Sequence, residues 1–172
     1  MTNKTAFFSR VVGLVQKIED YILICLLLTM ITLAVLQIFL RNFFDSGIIW
    51  GDSLVRVLVL WIGLVGAMVA SRTDNHISID ILSRYLPARI KRYSSLATHV
   101  FTVVVTALMA WFSLNFVRME MGENLIAFAN VPAWVCESII PIAFAVISLR
   151  YALFSIRLFV QLMTKKQATK KP

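Results

Sequence analysis

The chain has 172 residues, 59% of them hydrophobic and 15% charged, and its 17 Lys plus Arg against 9 Asp plus Glu leave a formal charge of +8. Mean hydropathy is +0.81. Water-soluble domains carry about a quarter of charged residues, so this balance excludes a soluble fold, and the apolar content excludes both a disordered chain and a basic nucleic-acid module. A small all-α integral membrane protein remains, and the distribution of its positive charge is more informative than the total.

Residues 7–18 alternate Phe7, Phe8, Val11, Leu14 and Val15 with Arg10, Gln16 and Lys17. That pattern predicts an amphipathic segment lying on the membrane surface. Tyr21 to Leu40 is free of formal charge, and at about 1.5 Å per residue it spans roughly 30 Å, one hydrocarbon thickness. It reads as a first transmembrane helix rather than a signal peptide, being too long for an h-region and followed by further spans.

A second span is predicted over 48–71. It takes Asp52 and Arg56 into its first turns, and their i, i+4 spacing, acid before base, suits an ion pair. Gly63, Gly66, Ala67 and Ala70 follow at i, i+3, i+4 and i+7, a smooth stripe that lets a second helix approach closely. The loop 72–92 interleaves Ile77, Ile79, Ile81 and Leu82 with Asp80, Arg84, Arg89 and Lys91, and is expected along the inner leaflet. Residues 93–117 form the third span, with an aromatic face of Phe101, Trp111, Phe112 and Phe116.

The fourth span is predicted over 131–153, with Pro132 in the first helical turn and Pro141 as a kink. Arg150 is expected to snorkel towards the cytoplasm near Arg157, ahead of a basic tail at 157–172. The whole chain reads as one membrane domain of four helices. Fourteen basic residues fall on the side of the termini and loop 72–92, while only Arg41, Arg56 and Arg118 fall on the other. The positive-inside rule therefore predicts both termini in the cytoplasm.

Chemistry is sparse. Cys25 and Cys136 lie towards opposite membrane faces and read as inert thiols. His99 is the one intramembrane histidine, which argues against a bis-histidine haem, and no nucleophile, metal-ligand or phosphate-loop motif is present. No cofactor and no metal are expected. Glu137, within about two turns of the fourth helix's start, reads first as a carboxylate favoured by the helix dipole. As a coupling site it would make the chain an autonomous proton- or cation-coupled carrier, the competing reading.

Several residues carry a resemblance to a known family. Arg41-Asn42 follows the first helix; Trp50 with Asp52, then Arg56, open the second. Trp61 and Gly66-Ala67 lie within it, and Arg72 and His76-Ile77-Ser78-Ile79-Asp80 come after it. Pro132, Trp134 and Pro141 mark the fourth helix. This order resembles the small membrane subunit of tripartite ATP-independent periplasmic (TRAP) transporters, with Ser53 standing where the family often has a second acid.

The resemblance implies a non-enzymatic subunit in a bacterial inner membrane. Its partner would be a large membrane subunit that moves an organic acid with a sodium gradient, and a periplasmic substrate-binding protein would dock transiently. Trp50 and Trp61 would then join Gly63, Gly66, Ala67 and Ala70 at the subunit interface. Asp52, Arg56, His76 and Asp80 would be structural polar residues. Arg41, Asp45, Arg118, Glu120 and Glu123 are candidate docking residues for the binding protein, and the basic side would hold membrane lipids.

Overall fold

The computed structural model describes residues 2–72, 88–123 and 125–168. Helix α1, Thr2–Phe44, is one unbroken helix of 43 residues. At about 1.5 Å per residue this is near 64 Å, about twice a hydrocarbon core, so the N-terminal segment expected on the membrane surface is continuous in helix with the first span. No proline interrupts it, and Thr29 and Thr32 return their hydroxyls to the carbonyls of Cys25 and Leu28, both at 2.8 Å. Such back-bonding leaves no orphan hydroxyl in lipid. Asp45, with φ of 45°, ends α1 in the left-handed region that Asp tolerates better than most residues.

Helix α2 is Gly51–Ala70 and α3 is Ala88–Glu123. In α3 the hydroxyls of Thr98, Thr102 and Thr106 bond back to Ser94, Thr98 and Thr102 at 2.7–3.0 Å. A short hairpin follows, β1 Ile126–Phe128 against β2 Val131–Pro132, antiparallel, with Phe128 opposite Val131. Its two turn residues, Ala129 and Asn130, have φ of 42° and 67°. Positive φ at both positions matches the right-handed strand twist. Nothing in the sequence reading anticipated this hairpin.

The fourth span is two helices, α4 Ala133–Glu137 and α5 Ile139–Ala168. Pro132 caps α4 in extended geometry. The break falls at Ser138, three residues before Pro141, because a proline has no N–H for the carbonyl of residue i−4, here Glu137, and its ring crowds that turn. At the break Ser138 Oγ donates to the Val135 carbonyl at 2.7 Å.

Four stretches are long and apolar enough to cross a membrane: Val12–Phe44, Gly51–Ala70, Ser94–Glu123 and Ala133–Gln161. They form a layer in the order α1, α2, α5, α3. The most extensive contact joins α3 to α5, α1 lies along α2, α2 lies along α5, and no comparable contact joins α1 to α3. Met68, Ala143 and Ile147 are the centre of packing, flanked by Leu64, Val146 and Tyr151. His99 is fully buried beside Tyr151 and Phe154, with ring centroids at 5.8 and 6.2 Å. Its Nδ1 lies 3.4 Å from Ser95 Oγ.

The outside of the layer is apolar: Ile24, Leu28, Ile31 and Val35 on α1, and Phe101, Trp111, Phe112 and Phe116 on α3, are all exposed. In water such continuous faces would aggregate. In a bilayer they are the surface that lipid tails require, and the chain is a multi-pass membrane protein of four spanning helices.

Candidate partner surface and its polar clamps

Helix α2 presents one narrow open face. At ~100° per residue, Asp52, Arg56, Val59, Ala67 and Ala70 all fall within roughly 40° of Gly63, and these six are the exposed residues of the helix. Gly66 lies at the edge of the strip, half-buried. A Cβ added at Gly63 or Gly66 would meet nothing within 4 Å. The strip predicted from spacing is therefore not consumed by this chain's own described helices.

Trp61 is on the other side. Two residues before Gly63, it lies about 160° around the helix, and its indole Nε1 donates to the Cys136 carbonyl at 2.8 Å. Grouping it with the glycines at an external interface does not match that geometry: Trp61 ties α2 to α4 inside the chain. Trp50 sits at the N-cap position of α2, partly exposed, without a side-chain cap bond.

The loop between α1 and α2 is held by Gln37, which is buried. Its amide brackets Ile48, donating to the Ile48 carbonyl at 3.0 Å and accepting from the Ile48 N–H at 3.3 Å. Gln37 also donates to Asp52 Oδ1 at 3.2 Å, and Arg41 donates to Asp52 Oδ2 at 2.6 Å. Gly51 suits this closeness, since a Cβ there would lie 2.8 Å from Gln37 Oε1 and the amide would have to shift. The expected Asp52–Arg56 pair is replaced: α1 packs against α2 and brings Arg41 to the acid first. Arg56 is exposed and has no ion-pair partner among the described residues.

The opposite end carries a second and larger clamp. Glu19 on α1, only 7% exposed, is shared by two guanidiniums, Arg72 at 2.7 Å and Arg150 at 2.6 Å. Arg72 also pairs with Asp20 at 2.7 Å and donates to the Gln16 carbonyl at 2.8 Å. Arg150 donates to Ser71 Oγ at 3.1 Å and to the Met68 carbonyl. Burial opposes the charge on Arg72, but the hydrogen bonds it donates to Glu19 and Asp20, with their charges, outweigh it and raise its pKa above the ordinary arginine value. Arg150 thus does not run down α5 towards Arg157 as its sequence position suggested, because α1 and the end of α2 offer it a carboxylate and two oxygens at its own level.

The remaining candidates divide into two places. Arg41 stands in the last turn of α1 with Asp45 just after it, and Arg118, Glu120 and Glu123 on the last turns of α3; α1 and α3 are the outer members of the layer. Glu120 and Glu137 each have one carboxylate oxygen shut away from solvent without a hydrogen-bond partner. His76 and Asp80 lie outside the described residues. Among the described residues no three His, Cys, Asp or Glu side chains gather in a way that would hold a metal.

Against known families, residues 30–161 match the model of the DctQ component of tripartite ATP-independent periplasmic transporters. The chain belongs to this family. As a DctQ component it is a transporter subunit, not an enzyme. Over 169 residues it is 22% identical to the C4-dicarboxylate TRAP transporter small permease protein DctQ of Vibrio cholerae, covering 85% of this chain and 73% of that one. It is 26% identical over 101 residues to the sialic acid TRAP transporter permease protein SiaT of Haemophilus influenzae. It is 23% identical over 103 residues to the isethionate TRAP transporter permease protein DctMQ of Oleidesulfovibrio alaskensis. Each of these last two matches covers 59% of this chain and 16% of the relative, so the DctQ-like stretch there is a small part of a much longer permease.

For this DctQ component the Glu19 clamp was not legible in the sequence. Its signals were present, two adjacent acids at 19–20 and a lone Arg inside the last span, but they lie more than fifty residues apart along the chain. Only the helix order makes them neighbours.

Proposed function

We propose that this small TRAP subunit is a static partner of the large permease subunit: it docks through the open face of α2 and enlarges the scaffold against which that subunit moves an organic acid. The observation that carries the reading is the Gly63–Gly66–Ala67–Ala70 strip, exposed at Gly63, Ala67 and Ala70, on a helix that is clamped to its neighbours at both ends. A fixed helix with a free small-residue face is suited to close helix packing.

The long SiaT and DctMQ relatives support a membrane neighbour, since a similar segment is part of one chain with a larger permease there. Their names, with that of the C4-dicarboxylate relative, all specify small organic anions, which supports an organic acid as the transported solute. On this reading the energy comes from a sodium gradient acting on the large subunit. The chain sits in the inner membrane with its basic ends, including both termini, in the cytoplasm. Its less basic side, with Arg41, Asp45, Arg118, Glu120 and Glu123, then faces the periplasmic binding protein and contributes electrostatic complementarity to a transient contact.

The test is Gly66→Leu. Because a Cβ at this half-buried position meets nothing within 4 Å, the isolated chain should keep its thermal stability, while recovery of the large subunit with the tagged small one and sodium-driven uptake should both fall. Intact assembly and uptake would overturn the packing claim. Uptake by proteoliposomes holding this chain alone would overturn the static role and favour a carrier using Glu137.

A further inference from the structure

Arg56 is left over by the outer clamp. It lies in the second turn of α2, inside the spanning stretch Gly51–Ala70, and on the open strip with Val59, Gly63 and Ala67. Its natural helix partner, Asp52, has both oxygens engaged, one by Gln37 and one by Arg41. No other acid reaches Arg56 among the described residues. A guanidinium within a spanning segment is costly without a partner or an escape to the interface.

The side chains around it discriminate between lipid and protein as the cover. Faces of this chain that meet lipid tails display large groups, such as Leu28 and Ile31 on α1 or Trp111 and Phe112 on α3. Beyond Val59, the strip below Arg56 instead holds Gly63, Ala67 and Ala70, which lets a helix backbone come close and leaves the guanidinium reaching over it. Among protein groups, a carboxylate best matches the planar fork of an arginine.

We infer that Arg56 is the charged anchor of the α2 face and pairs with a carboxylate on a membrane helix of the large permease subunit, about one turn beneath the outer membrane surface. This rests on the pairing with the large subunit proposed above and adds the chemistry and depth of the contact. Arg56 then sets the axial register of the two helices while the small residues set their distance.

The experiment uses the co-expressed membrane complex, with recovery of the large subunit on a tagged small one as the readout and thermal unfolding of the isolated small subunit as the control. Arg56→Glu is expected to cut recovery by about tenfold or more, since it sets two acids against each other. Arg56→Lys should retain most of it, and the melting of the isolated chain should be unchanged in both. In the Arg56→Glu background, changing the acids of the large subunit's membrane helices to Lys one at a time should restore recovery at a single position. Wild-type recovery with Arg56→Glu would overturn the inference and assign the residue to lipid phosphates, and absence of any restoring Lys would overturn the carboxylate partner. Failure of the unmodified pair to co-purify would instead sink the proposed function on which the inference rests.

Discussion

Glu19→Ala removes the one carboxylate that Arg72 and Arg150 share. Taking one member from a buried ion pair typically costs about 3–5 kcal/mol, because the remaining charge stays desolvated. Two features reduce the figure in this chain. Arg72 keeps Asp20, whose side chain is half exposed and therefore holds it only weakly, by up to about 1 kcal/mol; Arg150 keeps the Met68 carbonyl and Ser71 hydroxyl. A loss of about 2–3 kcal/mol is expected, which for a chain of this size lowers Tm by roughly 5–10 °C. Unfolding in detergent followed by the fluorescence of the four tryptophans measures it. The double variant Glu19→Ala/Arg150→Met should be more stable than the sum of its single changes by about 1–2 kcal/mol, because it no longer strands a guanidinium. A single variant that melts within about 2 °C of the parent, or strict additivity in the double one, would refute the shared-carboxylate account.

Two further outcomes test other joints of the fold. Trp61→Phe keeps an aromatic ring but removes the indole N–H that donates to the Cys136 carbonyl, so a loss of about 1–2 kcal/mol is expected in the same melting assay, with no matching loss for Trp50→Phe. Ala129→Gly should raise stability by about 0.5–1 kcal/mol, since the left-handed turn position strains a Cβ by somewhat more than the entropy that glycine loses on folding; no gain would place the hairpin strain elsewhere.

The candidate surface was largely legible in the sequence, and the clamps were not. Gly63, Gly66, Ala67 and Ala70 declare themselves by a period set within one helix, and their opening outward needs only that nothing larger covers them. Asp52 shows the opposite case. Its local partner by spacing is Arg56, yet Arg41 reaches it from α1, and that choice depends on which helix lies alongside α2. The hairpin at 126–132 was hidden because Ala129-Asn130 lacks the Asn-Gly or Asp-Gly signature that usually marks such a turn.

By itself the sequence determined the number of spans, the break near Pro141, the basic excess around loop 72–92 and both ends of the chain, and the small-residue strip. Each of these follows from run lengths, ring chemistry or helical period, which are local along the chain. Only the tertiary structure decided that the helices lie as a layer in the order α1, α2, α5, α3, and with it that Glu19 binds both Arg72 and Arg150. The same arrangement turned Trp61 towards α4 and left Arg56 without an ion-pair partner among the described residues. Ion pairs and buried donors choose among all groups within a few ångströms, and in a membrane those neighbours are fixed by which helices pack together.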